Sequence, residues 1–125
     1  MNTFQRAQQA YGAAENAVRS DRSLEHAALA KASRDLKAAH DAEPFTFSAL
    51  AEALHANSRL WTLLAVNVAD PENQLSPDIR ARIFYLAEFT LHHTRAVLEG
   101  TGSIDPLLDV NTTVMRGLRS TQEAA

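Results

Sequence analysis

Large apolar side chains recur at three- and four-residue spacing along most of the chain, which is the pattern of helices that bury one face. In the amino-terminal third this pattern predicts two helices. They are separated at residues 20–23, where most side chains are of types that cap helix amino termini. The apolar face of the first helix consists of Phe4, Ala7, Tyr11, Ala14 and Val18. The stripe of the second, which we expect to end near His40, consists of Leu29, Ala32, Leu36 and Ala39.

A third helix is predicted after Pro44, with Thr46 or Ser48 as its N-cap. Its apolar positions are Leu50, Leu54, Leu60, Trp61, Leu64 and Val68. The segment Asp70-Pro71-Glu72-Asn73 then predicts a turn, because proline fixes φ and Asx side chains bond the local backbone.

The start of a fourth helix is predicted at Ser76-Pro77-Asp78. This segment combines a cap residue, a proline at the first helical position and a carboxylate that faces the positive end of the helix dipole. We expect the helix to end near Glu99, because Gly100-Thr101-Gly102 follows.

A short fifth helix is predicted from Asp105-Pro106 to Gly117 or Arg119, followed by a frayed tail at residues 120–125. No segment has the alternating pattern of a strand, and the short connections suit antiparallel neighbours. The sequence therefore predicts an all-α, single-domain bundle of about five helices over residues 1–125. An alanine-rich amino-terminal hairpin packs on longer central helices in this bundle.

Alanine is the commonest residue, and it is unevenly distributed along the chain. Of 23 alanines, 12 lie in residues 1–43, whereas most aromatic residues lie between positions 45 and 89. Because burial stabilises by about 25 cal/mol per Å² of apolar surface, alanine faces are held more weakly than leucine or phenylalanine faces. The hairpin is then either a tightly packed pair, since small residues permit close approach, or an arm that a partner helix can displace.

Composition also excludes several classes of function. The chain has no cysteine, which excludes disulfides and thiol chemistry. A net charge of −3 disfavours direct nucleic-acid binding. The sequence lacks an apolar run of membrane-spanning length and the hydrophobic region of a secretory signal. We therefore expect a soluble, cytoplasmic protein that is not associated with a membrane.

Catalytic and metal-binding patterns are also missing from the sequence. His92 and His93 are adjacent, so on a helix they point about 100° apart and cannot chelate one ion well together. Nucleophile-elbow, phosphate-loop and dinucleotide-binding patterns do not occur. The expectation is a protein that is not an enzyme and that has no cofactor or metal.

Several residues are candidates for binding another protein, each with a structural alternative. Trp61, the only tryptophan, is either core packing or an interface anchor. Asn111 is either a satisfied core amide or a group that bonds a partner's backbone. Arg59, Arg80, Arg82 and Arg95 either contact acidic groups of a partner or lie on solvated surface. The predicted partner-binding set is Tyr11, Leu29, Leu36, Arg59, Trp61, Arg82, Asn111 and Met115.

Two stretches, residues 55–100 and 105–118, resemble the FlaF family of flagellar biosynthesis proteins. The resemblance also covers Ala-Tyr-Gly-Ala at residues 10–13. The segments that carry it are Arg59-Leu60-Trp61, Ala69-Asp70-Pro71-Glu72-Asn73, Arg80-Ala81-Arg82-Ile83, His92-His93 and the stretch DPLLDVNTTVMRGL at 105–118. None of these segments is a catalytic signature.

The resemblance implies a cytoplasmic factor that binds flagellin as an export chaperone, promotes its synthesis and secretion, and opposes the translational repressor FlbT. An alternative is post-transcriptional regulation of flagellin, through its mRNA or through FlbT, without chaperoning. A bundle that merely scaffolds another flagellar protein is a further alternative. No residue assignment comes from the family, so the partner-binding set rests on the pattern of residues alone.

Overall fold

The structure, a computed structural model, describes the backbone of residues 24–124 and the side chains of residues 24–117. This part of the chain contains four helices and no strand. They are α1, described over residues 24–41, α2 (Phe47–Ala69), α3 (Pro77–Leu98) and α4 (Asp105–Ala124). The all-α class is confirmed. The predicted first helix, with Tyr11, and the predicted break at residues 20–23 lie outside the described residues.

The predicted start signals of α2 and α3 are confirmed by their cap geometry. Thr46, not Ser48, is the N-cap of α2, and its Oγ1 accepts a hydrogen bond from the backbone N–H of Ala49 at 3.3 Å. Ser76 caps α3 in the same way, with its Oγ accepting from the N–H of Ile79 at 3.3 Å. Each cap satisfies an N–H that has no partner within its own helix.

The end of α3 depends on a glycine. Gly100 has a φ of 81°, in the left-handed region that residues with a Cβ rarely adopt. Its N–H bonds the carbonyl of Val97 at 3.1 Å, and the N–H of Thr101 bonds that of Ala96 at 2.9 Å. These bonds satisfy carbonyls that the end of a helix leaves open, so α3 ends where the sequence predicts.

The predicted end of the last helix is wrong. α4 continues through Ala124, whereas the sequence predicted an end near Gly117 or Arg119 and a frayed tail. No proline or further glycine follows Gly117, and a single glycine within a helix costs only about 1 kcal/mol. Nothing in the local sequence therefore stops the helix there.

Two buried clusters form the core and show how the helices run. The first joins Leu29 of α1 to the carboxyl-terminal half of α2, the start of α3 and the middle of α4. Its members are Leu29, Trp61, Leu64, Val68, Ile83, Ala87, Val110 and Val114. The second contains Leu36, Leu50, Ala53, Leu54, Val97, Ile104 and Leu107. Because each helix passes from one cluster to the other in the opposite sense to its predecessor, the helices alternate in direction, as in an up-and-down bundle.

The second of the two alanine-rich helices is firmly packed. Leu29 and Leu36 of α1 have no exposed surface, and Ala32 between them is buried. Each leucine belongs to a different core cluster. Residues 24–41 are thus held in both core clusters, although alanine is their commonest residue. The pairing of α1 with the predicted first helix lies outside the described residues.

Candidate partner-binding site

Four residues of the predicted partner-binding set lie in the core. The side chains of Leu29, Leu36, Trp61 and Asn111 are fully buried. They pack between helices and cannot touch a partner while α1 to α4 stay together. A partner-binding role for these four residues would therefore require the bundle to open. The helical spacing that places a residue on an apolar face does not say whether the bundle or a partner covers that face.

Asn111 is the centre of a buried hydrogen-bond network. Its Oδ1 accepts a hydrogen bond from Trp61 Nε1 at 2.7 Å. Its Nδ2 donates to Asn57 Oδ1 at 2.9 Å and to Ser33 Oγ at 3.1 Å. Ser33 in turn donates to the carbonyl oxygen of Leu29 at 2.9 Å. The network joins α1, α2 and α4, so Trp61 is a core residue and Asn111 a satisfied core amide.

The sequence did not single out Asn57, the third buried member of this network. It is fully buried on α2, one turn before Trp61. Asn57 Nδ2 and the hydroxyl of Thr90 on α3 are buried without a hydrogen-bond partner among the described residues. The signal that could have found Asn57 is its spacing, because it lies three residues after Leu54 and four before Trp61.

Arg80, which the sequence grouped with possible partner contacts, holds the α2–α3 connection. Its Nε donates to the carbonyl of Val68 at 2.8 Å and its Nη2 to that of Asp70 at 2.9 Å. The carbonyl of Val68 is in the last turn of α2 and has no partner within the helix, and that of Asp70 belongs to the C-cap residue. The arginine supplies a hydrogen bond to each. Arg80 is therefore a structural residue.

Two members of the predicted partner-binding set are exposed, unlike the four buried ones. Arg59 and Arg82 are exposed, and neither forms an ion pair or side-chain hydrogen bond within the described part of the chain. Met115 is half-buried and packs against the first core cluster. Among the members of the set that the structure describes, only Arg59 and Arg82 are thus fully open to a partner without rearrangement of the bundle.

Two of the histidines, His93 and His40, contact residues near them in the fold. His93 Nε2 lies 2.7 Å from the carbonyl oxygen of Ser103, and its ring stacks on Phe89 with centroids 5.5 Å apart. The hydrogen bond with His40, and then that with Lys37, lowers the pKa of Asp41, an exposed residue at the end of α1. Across the described residues, no three His, Cys, Asp or Glu side chains are grouped so that they could hold a metal ion.

An exposed apolar face on α2 is the strongest candidate for a binding surface. Leu63 and Val66 are 61% and 63% exposed. Together with Arg59 they occupy positions i, i+4 and i+7, which lie on one face of a helix. We call these three residues the α2 patch. The sequence missed Leu63 and Val66 because they stand beside the core positions Leu64 and Val68, and a run of apolar residues hides which of them face outward.

A match to a family model covers most of the chain. None of the helices in the described part of the chain is long and apolar enough to cross a bilayer. Neither the curated proteins nor the solved structures contain a match to the chain. The family model described as "Flagellar protein FlaF" matches residues 7–118, which is most of the sequence. The chain therefore belongs to the FlaF family of flagellar proteins.

Proposed function

We propose that this FlaF-family protein acts in the cytoplasm as a flagellin-binding export chaperone. In this role it promotes flagellin synthesis and secretion and opposes FlbT. Family membership supports the flagellar context. The observation that carries the binding role is the α2 patch, whose two apolar side chains are more than half exposed and face away from both core clusters. Binding, not catalysis, is the activity that such a surface supports.

The proposed ligand is an amphipathic helix from the ends of flagellin. Such segments form helices in the filament and expose apolar faces before assembly. A helix that lays its apolar side across Leu63 and Val66 would remove both surfaces from water, and Arg59 beside them suits an acidic side chain on the ligand. Ordering of the ligand on binding lowers the affinity, which suits a client that must be released for export.

Calorimetric titration of the full chain with monomeric flagellin tests this proposal. Leu63→Glu should weaken binding about 30-fold, the effect of losing one interface anchor of about 2 kcal/mol. Ala38→Glu is the matched control, because it adds the same charge at an exposed position of α1 and should leave the affinity unchanged. Circular dichroism checks that both variants keep their helices.

Three outcomes would contradict parts of the proposal. If intact flagellin does not bind at all, the chaperone role is wrong, and salt-dependent binding of flagellin mRNA would then favour the regulatory alternative. If flagellin without both terminal segments binds as tightly as intact flagellin, the ligand is not a terminal helix. If Leu63→Glu and Ala38→Glu behave alike, the α2 patch is not the binding surface.

A further inference from the structure

A second exposed apolar surface lies on α3. Phe84, Leu91 and Leu98 are 43%, 37% and 40% exposed and stand seven residues apart. Positions seven apart drift by only about 20° around a helix, so the three side chains form one stripe, roughly 21 Å long. We call it the α3 stripe. Single exposed apolar residues are ordinary on protein surfaces, but three aligned along one helix form a continuous strip against which another helix can pack.

The stripe is separate from the part of α3 that packs in the bundle. The buried positions of this helix are Ile83, Ala87, Thr90, Thr94 and Val97. The stripe residues stand next to these positions along the helix but keep more than a third of their surface open. The described chain therefore covers the stripe only in part, and the remaining apolar surface is open to another helix.

Two side chains of opposite charge lie along one side of the stripe. Glu88 follows Phe84 by four residues, and Arg95 follows Leu91 by four, so both lie on the same side of the stripe. Both side chains are exposed, and neither belongs to an ion pair within the described residues. In heptad terms the stripe occupies the a positions and the two charges the e positions, where interhelical ion pairs form.

This arrangement is complementary to itself. If two copies of α3 lie antiparallel with Leu91 on the two-fold axis, Phe84 of one copy faces the partner's Leu98, because each stands seven residues from the axis. In the same arrangement Glu88 lies beside the partner's Arg95, and the symmetry produces this pair twice. A parallel pair would instead leave the two charges about 10 Å apart along the helix axis.

We propose that the protein forms a two-fold symmetric dimer through the α3 stripe, with antiparallel α3 helices and two Glu88–Arg95 ion pairs between the copies. The proposal does not depend on flagellin binding, because the α2 patch is on another helix.

Analytical ultracentrifugation of the full chain over a range of concentrations tests for the dimer. The wild type should show a monomer–dimer equilibrium. Leu91→Glu places two carboxylates opposite each other at the axis and should leave only monomer. Leu63→Glu is the matched control, since it makes the same change at an exposed leucine of α2 and should keep the dimer. Circular dichroism separates loss of association from loss of folding.

Charge reversal tests the antiparallel geometry. Glu88→Arg alone and Arg95→Glu alone each put like charges together, and each should weaken the dimer about ten-fold. An equimolar mixture of these two variants should form a heterodimer of near wild-type stability, because each copy supplies the charge that the other requires. Glu52→Arg, at an exposed position of α2, is the control and should have no effect.

The results that overturn the proposal are equally specific. A wild-type chain that stays monomeric throughout shows that a second copy does not cover the stripe. A dimer that survives Leu91→Glu and both charge reversals uses another surface. If Leu91→Glu abolishes flagellin binding and leaves the dimer intact, the α3 stripe is a flagellin-binding surface and not a dimer interface.

Discussion

At the scale of single residues, one buried amide side chain connects polar side chains from α1 and α2. Asn111 accepts a hydrogen bond from Trp61 and donates to Asn57 and Ser33. A buried polar group that loses its partner costs more than the bond itself contributed, because it was desolvated on folding and gains nothing in return. The network therefore stabilises the bundle only while all its members are present.

Asn111→Ala should lower the free energy of unfolding by about 2–4 kcal/mol, because it leaves the indole N–H and the Asn57 carbonyl unpaired inside the core. Asn67→Ala is the control at an exposed asparagine of α2, and we expect a change within about 0.5 kcal/mol. Urea unfolding followed by Trp61 fluorescence measures both. Equal losses in the two variants would mean that the network contributes no stability.

At the scale of elements, the helices begin and end where local bonds satisfy their free backbone groups. Thr46 and Ser76 cap the amino termini of α2 and α3. Arg80 donates a hydrogen bond to a carbonyl in the last turn of α2, and a glycine in the left-handed region ends α3. These devices act over a few residues. Their contributions can therefore be measured one at a time.

Two glycines, one at the end of α3 and one within α4, should respond to alanine in opposite directions. Gly100→Ala forces a Cβ into the left-handed region and should cost about 1–2 kcal/mol. Gly117 lies within α4, and a Cβ added there would meet no atom within 4 Å other than its chain neighbours and the backbone of its own helix. Gly117→Ala should therefore stabilise the protein by about 0.5–1 kcal/mol, through the greater helix propensity of alanine. Thermal unfolding of the two variants checks the signs, and two shifts of the same sign would refute this account.

At the scale of the whole molecule, the four described helices share one interior. Leu29 and Leu36 bring α1 into both core clusters, and Ser33 brings it into the hydrogen-bond network. A helix that contributes to every part of the interior cannot leave without exposing all of it. We therefore expect α1 to open only when the bundle unfolds.

Amide hydrogen exchange measures this directly. The amides of residues 29–40 should exchange as slowly as those in the middle of α2, because the same global opening exposes both. Addition of flagellin should slow exchange around Leu63 and Val66 and leave the protection of α1 unchanged. Much faster exchange in α1 than in α2 would instead support the displaceable arm that the alanine content suggested.

The all-α class, the starts of α2 and α3, and the end of α3 follow from the sequence alone. Helix propensity, caps and the left-handed glycine act between residues close along the chain, so their signals can be seen in a short window. The overrun of α4 shows the limit of such signals, because a helix without a stop residue has no locally defined end.

The tertiary structure decided which residues are available to a partner. Trp61 and Asn111 lie fifty residues apart, and only the tertiary structure, in which their side chains meet in the interior of the bundle, shows that each satisfies the other. Arg80 and Arg82 look alike in the sequence, yet one bonds the end of α2 and the other is exposed. Periodicity identifies an apolar face, whereas its burial depends on helices distant in sequence. For this reason, only the tertiary structure shows that the side chains of the α2 patch and the α3 stripe are exposed to solvent.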